Sequence, residues 1–318
     1  MSEKPILPVI FGCRGLDLTA EEKDFFRRYN PLGLILFDRN VSHPKQLKKL
    51  IADFREAVGR KNAPVLVDQE GGRVQRLWPP YWEGLPWCRT YGDIYREHPK
   101  KAVRMVRRHA KVLAKNLRSV GFNVDCWPCL DVAVPQTHDV MAKRCFSDEA
   151  AVVALLGRAG IQTALKKGIM PVMKHIPGYG RTVVDPHKDL PVVREKTAVL
   201  KKSDFIPFCG IREPIWGMTA HVIYEDLDKK LPTTLSPKVI AYIRGQMGFK
   251  GFLLSDDMCM GALKQFGTPA QVVEKSIAAG CDAVLHCNAD MVEMNRIVRH
   301  MAPLSGASLI RLGGKYVV

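Results

Sequence analysis

The chain has 318 residues, 47% of them hydrophobic, enough to bury a large core and within the size range of one α/β barrel. Its 48 basic and 32 acidic residues leave a net charge of +16, which favours anionic partners. The Lys and Arg residues are dispersed along helical stretches, with no dense basic run and no interleaved aromatics, so nucleic acid is not an expected partner.

No run approaches the roughly 18 apolar residues of a membrane span. The apolar run that ends at Phe11 is too short for a signal-peptide core. The nine cysteines are odd in number, and several lie inside apolar runs. They read as buried free thiols in a reducing cytosol. Cys126-Trp127-Pro128-Cys129 has the spacing of a redox motif but lies at a strand with apolar flanks, not at a helix start, and is read as structural.

Apolar runs of strand length recur along the chain: Pro8–Gly12, Gly33–Phe37, Pro64–Val67, Phe122–Trp127, Ile169–Met173, Trp216–Ala220, Gly251–Leu254 and Asp282–His286. Being short and almost continuously apolar, they read as parallel strands buried on both faces. Pro171 inside the fifth run is an objection, because Pro removes a ladder donor.

Helical segments separate most of these runs. Thr19-Ala20-Glu21-Glu22 predicts a capping box and a helix to Tyr29. Ser42 and Pro44 open a second helix, to Val58. Further helices are predicted for Pro99–Val120, Asp148–Lys167, a stretch from Pro237 to near Gly248, and Pro269–Ala279. The segment Arg76–Glu97, rich in Trp, Tyr and Pro, reads as a loop extension. Eight buried strands alternating with helices predict an α/β fold, a (β/α)8 TIM-type barrel spanning residues 1–318 as a single domain. A doubly wound sheet is the competing architecture, but no G-x-G-x-x-G follows any strand.

In such a barrel the active site lies at the carboxyl ends of the strands. Ionisable groups collect there: Asp68 after the third run, Lys174 and His175 after the fifth, His221 after the sixth, Asp256 and Asp257 after the seventh, and His286 at the end of the eighth. A strand-held Asp256 has the rigidity a nucleophile requires, while alternation along the strand turns Asp257 elsewhere into a structural role. Beyond Lys174-His175 the chain enters a loop with Pro177, Gly178 and Gly180, then Asp185-Pro186-His187. A carboxylate held against a His raises its pKa and fixes its tautomer, as a general acid needs, and a turn restricted by Pro186 can bring Asp185 to His187. Gly178 and Gly180 read as hinges of a lid that carries this pair. Arg144 offers a planar fork for a carboxylate or hydroxyls, or else a salt bridge to Asp148. The histidines show no metal-ligand spacing, so no metal is expected.

Three motifs together carry a family resemblance: Asp68 to Arg76 (DQEGGRVQR), Lys174 to His187 (KHIPGYG followed by D-P-H) and Leu254 to Asp257 (LSDD). They resemble those of the bacterial β-N-acetylhexosaminidases of glycoside hydrolase family 3, in particular the single-domain cytoplasmic enzymes of peptidoglycan recycling. The resemblance implies a retaining, metal-free and cofactor-free enzyme that acts on N-acetylglucosamine-containing muropeptides. It further implies Asp256 as nucleophile, His187 as acid/base with Asp185 as its partner, and Asp68, Arg76, Arg144, Lys174 and His175 as sugar-binding residues.

The chain departs from the family pattern at Tyr179, usually His, at Pro186, usually Ser, and at Ala142 and Cys145 around Arg144. Three rival readings remain: a barrel aldolase with Lys174 as Schiff base, a sugar-binding barrel without turnover, and a β-glucosidase of the same family.

Overall fold

The computed structural model describes residues 4–182, 190–299 and 301–316. Eight parallel strands close into a barrel. In order around it they are β1 (Leu7–Phe11), β2 (Pro31–Leu36), β3 (Val65–Val67), β4 (Val124–Asp125), β5 (Met170–Ile176), β7 (Trp216–Thr219), β9 (Phe252–Asp257) and β10 (Ala283–His286). Two further short strands, β6 (Val192–Val193) and β8 (Ile223–Tyr224), pair with each other outside the barrel. All eight predicted strands are present, although the fourth shrinks to two residues.

Pro171 is accommodated by the geometry of β5. Met170 N–H donates to Asn123, on the β4 side. Alternation turns residue 171 toward β7, whose pairing with β5 begins only at Val172.

The surrounding helices follow the local signals. In α1 (Ala20–Tyr29) the Thr19 hydroxyl accepts from Glu22 N–H at 3.1 Å and Glu22 accepts from Thr19 N–H at 2.8 Å, the reciprocal capping box. Such a cap contributes about 1 kcal/mol. α2 (Pro44–Val58) starts on Pro and ends on Gly59 in the left-handed region. α4 (Pro99–Val120) ends likewise on Gly121.

Some predictions need correction. Arg76–Glu97 is not loop throughout, because Arg89–Glu97 forms α3, which buries Tyr91. A short α5 (Asp139–Arg144) also went unpredicted, being too brief to display a helical period. Then come α6 (Ala150–Lys166), α7 (Thr197–Leu200), α8 (Pro237–Gly245), α9 (Pro269–Ala279), α10 (Met291–Val298) and α11 (Gly306–Leu312). No described helix is long and apolar enough to cross a membrane.

At the barrel's amino-terminal end the segment around Tyr316 packs against the start of β7. Tyr316 packs edge-on against Trp216 at 5.5 Å, and its carbonyl accepts from buried Arg60, which also holds the Pro31 and Leu32 carbonyls. All nine cysteines are free and seven of them are buried, including Cys126 and Cys129. Burial pushes the Cys126 thiol far up, and the hydrogen bond with Cys145, then burial, does the same for Cys129, so neither is poised as the thiolate that redox exchange needs.

Candidate active site

At the opposite, carboxyl-terminal end of the barrel the strands surround a cavity of about 440 Å³. Asp68, Arg76, Arg144, Lys174, His175 and Asp256 all line it. Side chains from β3, α5, β5 and β9 are therefore brought to one place. Asp185 and His187 lie outside the described residues.

The motif Asp68–Arg76 is a folded turn. Gly71 and Gly72 have φ of 108° and 58°, where a side chain is disfavoured, and a Cβ at Gly72 would fall 2.0 Å from the Trp87 ring. The Gln69 carboxamide oxygen accepts from Arg76 N–H at 2.8 Å and Leu77 N–H at 3.1 Å, closing the turn. Asp68 and Glu70 then face the end of β5.

There Lys174 Nζ lies 2.8 Å from Asp68 Oδ1 and 2.6 Å from Glu70 Oε1. Arg144 grips Glu70 with both arms of its fork, Nε to Oε2 at 2.9 Å and Nη2 to Oε1 at 2.8 Å. Arg76 reaches Asp68 at 3.5 Å and Asp38 at 3.3 Å. The helix-start pairing of Arg144 with Asp148 does not form; Asp148 pairs instead with Arg89 and Arg96.

This network fixes protonation. Burial alone would raise the carboxyl of Asp68, but Lys174 and Arg76 outweigh it and hold the group well below the usual carboxylate range. Burial likewise opposes the charge of Glu70, and Arg144 and Lys174 overcome it. The burial of Lys174 is offset by Asp68 and Glu70, which push its ammonium up. An amine nucleophile needs a depressed pKa, so the Schiff-base reading fails on this geometry.

His175 is held by Asp131, whose Oδ2 is 2.7 Å from Nδ1 and whose Oδ1 accepts from His175 N–H at 3.2 Å and Tyr179 N–H at 2.6 Å. Burial disfavours the Asp131 carboxylate, but His175 and these N–H groups hold its pKa down.

Glu70 and Asp131 are the two residues that sequence reasoning missed. Asp131 stood out in principle, as a lone carboxylate inside Leu130-Asp131-Val132-Ala133, where burial demands a partner. Glu70 lay within a motif already recognised.

Asp256 and Asp257 both border the cavity, which corrects the expectation that alternation separates them. The ladder between β9 and β10 slips at this point, Ala283 facing Leu254 but Leu285 facing Asp257. Three residues of β9 thus oppose two of β10, and such a bulge re-aims side chains. Their environments still differ. Asp257 Oδ1 accepts from the N–H groups of Cys259 at 3.0 Å and Cys287 at 3.2 Å, tying β9 to β10. Asp256 is half-buried and accepts only from Asp257 N–H, at 2.8 Å, among its hydrogen bonds with described residues. His221, two residues beyond the end of β7, braces the pair, with Nε2 3.0 Å from the Asp257 carbonyl oxygen.

Gly178 and Gly180 are close-approach positions, not hinges. A Cβ on Gly180 would lie 1.8 Å from the Val132 carbonyl oxygen, and one on Gly178 3.2 Å from that of Asp204. Tyr224 donates its hydroxyl to the Gly178 carbonyl. Arg181 holds Asp204 at 2.9 Å and Glu195 at 3.0 Å. The stem of the loop, up to Thr182, is therefore pinned to the barrel.

A closed parallel barrel whose carboxyl end holds a polyol-sized cleft of paired ions, beside two carboxylates, Asp256 and Asp257, that have no cationic partner among the described residues, suits a glycoside hydrolase. The comparisons with known proteins agree. The family description "Glycosyl hydrolase family 3 N terminal domain" matches residues 12–307, and the chain belongs to that family. A protein named Beta-hexosaminidase from Xanthomonas axonopodis pv. citri is 34% identical over 312 residues, 96% of this chain and 91% of that protein. A Beta-hexosaminidase from Xylella fastidiosa is 34% identical over 288 residues, 89% of this chain and 84% of its own length. The structure of NagZ from Neisseria gonorrhoeae in complex with N-trifluoroacetyl-D-glucosamine superposes with a TM-score of 0.89 at 30% identity, covering 100% of this chain and 91% of that one.

Proposed function

We propose that this glycoside hydrolase is a retaining exo-β-N-acetylglucosaminidase that removes terminal β-linked N-acetylglucosamine from muropeptide fragments in the cytoplasm. The observation that carries this reading is one cavity shared by a half-buried strand-end carboxylate, Asp256, and a fixed ionic cluster, Asp68, Arg76, Arg144 and Lys174. The hexosaminidase names of the relatives and the glucosamine derivative in the gonococcal structure support the choice of sugar.

In this mechanism the Asp256 carboxylate attacks the anomeric carbon. The leaving oxygen takes a proton from His187, whose imidazolium Asp185 stabilises. A glycosyl ester on Asp256 results. His187, now neutral, removes a proton from water as that water attacks the same carbon, which frees the sugar and regenerates the Asp256 carboxylate. Asp68 cannot replace His187 as donor, because its cationic neighbours keep it ionised. Two-carboxylate glycosidases use a second Asp or Glu for that task; here an Asp-His pair takes it. Arg76, Arg144, Lys174, His175 and Asp68 bind the sugar hydroxyls and amide, with Glu70 and Asp131 orienting them. No cofactor or metal takes part in these steps.

The test is a pair of measurements on the intact protein. A chromogenic N-acetylglucosaminide should be cleaved far faster than the matching glucoside. Mass spectrometry after a 5-fluoro-N-acetylglucosamine donor should place one adduct on Asp256. Preferential cleavage of the glucoside would point to a β-glucosidase, cleavage of neither to a sugar-binding barrel, and an adduct elsewhere would remove Asp256 as nucleophile.

A further inference from the structure

β10 ends on His286, and the chain then passes through Cys287–Asp290 into α10. Leu285 faces the cavity, so alternation turns His286 outward, where its ring packs edge-on against Phe11 at 5.7 Å. His286 is fully buried. Its Nε2 lies 3.0 Å from Glu293 Oε2, and its Nδ1 is buried with no hydrogen-bond partner among the described residues. A buried imidazole nitrogen without a partner carries a desolvation cost that calls for a ligand or a compensating contact.

Cys259 lies on the turn after β9 and brings a thiol to the same place. The Cys259 sulfur, a His286 ring nitrogen and a Glu293 carboxylate oxygen all lie within 4.8 Å of one another. None of these three residues lines the sugar cavity.

We propose that Cys259, His286 and Glu293 form a binding site for a divalent transition metal of the zinc type, on the outer side of the barrel between β10 and α10. The donor set is chemically suited. Thiolate, imidazole and carboxylate are the three ligand classes zinc takes, with bonds of about 2.0–2.3 Å in a tetrahedron whose fourth position water fills. Donors in such a tetrahedron stand roughly 3.3–3.8 Å apart, so a set already within 4.8 Å needs only a small closure.

The surrounding charge favours a cation. Burial disfavours a charged imidazole at His286 and keeps it neutral, as a ligand must be, while the carboxylates of Glu293, Asp257 and Asp290 face it with negative charge. On the positive side, Arg14 acts on Asp290, and Arg39 donates to the Cys287 carbonyl. Asn288 donates to Glu293 Oε2 at 2.7 Å and so orients the carboxylate from the outer shell. Metal binding displaces the Cys259 proton to solvent, leaves His286 neutral and changes no oxidation state. The ligands then carry two negative charges against the metal's two positive ones. The other compact donor set among the described residues, Cys129, Asp131 and His175, belongs to the active site through His175, which lines the cavity, and its Asp131 is already engaged by two N–H groups and the imidazole.

The site stands independently of the hydrolase reading. Its test uses the full-length protein, freed of metal with a chelator and titrated with Co²⁺ alone, the absorption spectrum being the readout. Saturation at one cobalt per chain is expected, with a thiolate-to-cobalt charge-transfer band in the near ultraviolet, intense tetrahedral bands in the visible, release of a proton, and displacement by Zn²⁺. Cys259→Ser, nearly isosteric, should abolish the charge-transfer band, and Glu293→Gln should weaken binding. Asn288→Ala should weaken it by roughly 10–100-fold. Absence of a thiolate band in the parent protein overturns the proposal. So does a band that survives Cys259→Ser. If His286→Gln fails to fold, Cys259→Ser decides alone.

Discussion

Two buried ionic clusters occupy the two ends of the barrel. At the amino-terminal end Asp282, just before β10, accepts from Arg244 at 2.7 Å, Arg311 at 3.0 Å, Ser308 at 2.7 Å and the Leu253 N–H at 2.8 Å. At the carboxyl-terminal end Asp68 and Glu70 meet Lys174, Arg76 and Arg144. Each cluster, as paired here, holds one more cation than carboxylate, and both tie distant segments together. Asp282 borders no part of the sugar cavity, and its acceptors are spent on the fold. Arg76, Arg144 and Lys174 border the cavity while still held by carboxylates, so they present donors whose orientation has been settled before any ligand arrives. What separates the two clusters is position relative to the cavity, not burial or charge, and on the proposed function that position makes the second one a binding surface.

That contrast can be broken most sharply at Asp256, outside both clusters. Asp256→Ala should lower turnover by roughly 10⁴–10⁶-fold while the melting temperature stays near the parent's, since Asp256 makes one backbone hydrogen bond among described residues. Near-parental turnover of Asp256→Ala, together with an inactive Asp257→Ala, would reverse the roles assigned to the two.

The next pair of variants compares the clusters directly. Asp282→Ala leaves two arginines without their carboxylate and should cost about 3–5 kcal/mol of stability, with kcat/KM of the folded fraction unchanged. Lys174→Met leaves Asp68 and Glu70 facing each other and should cost a similar amount of stability, about 3–5 kcal/mol, but with substrate binding lost as well. Denaturant unfolding read beside steady-state kinetics checks both. A normal KM for Lys174→Met would remove Lys174 from the sugar site.

The acid side of the stability profile sharpens the comparison. His109, buried behind the Glu70 turn with its ring stacked on Trp127, is pushed by burial from 6.5 to about 4. The unfolded chain takes up that proton first, so stability should fall as pH drops from 6.5 toward 4, on the order of 3 kcal/mol in all. Asp68 and Glu70 have depressed values, so their contribution is complete above the ordinary 3.8 and 4.5 and is lost only on further acidification. Denaturant midpoints against pH should show a shallow loss that His109→Gln reduces, the remainder coming from His221 and His286, which burial also lowers, and a second loss, at lower pH, that it leaves in place. An unchanged slope in His109→Gln would rule His109 out as its source.

The smallest effect is expected at the rim. Arg76, whose side chain is 18% exposed, should cost about 1.5–3 kcal/mol of sugar binding on Arg76→Ala, with little change in stability. Calorimetry with N-acetylglucosamine measures it, and unchanged affinity would place Arg76 outside the sugar site.

Much of the barrel is legible in the order of residues along the chain. Thr19 and Glu22 announce a helix start because their side chains bond to backbone within the same turn, an interaction complete in four residues. The same holds for the strand runs, whose continuous apolar character states that both faces are covered. Where the local signal is brief or mixed it fails: α3 hides among aromatics and prolines, and α5 is six residues long. The loop glycines mislead for a related reason. A glycine permits a hinge and also permits close backbone approach, and only the Val132 carbonyl beside Gly180 tells which.

The sequence by itself determined the alternation of strands and helices, the barrel it implies, and the strand ends on which ionisable groups fall. Periodicity, caps and breakers act over a few residues and are written in order along the chain. The tertiary structure alone decided which of those groups meet. It set Glu70 between Lys174 and Arg144, placed Asp131 behind His175, turned Asp256 and Asp257 toward one cavity through a bulge in β9, and gathered Cys259, His286 and Glu293 outside it. Those outcomes depend on distances across the barrel and on burial, and electrostatic interaction follows distance in space and the local dielectric, not separation along the chain.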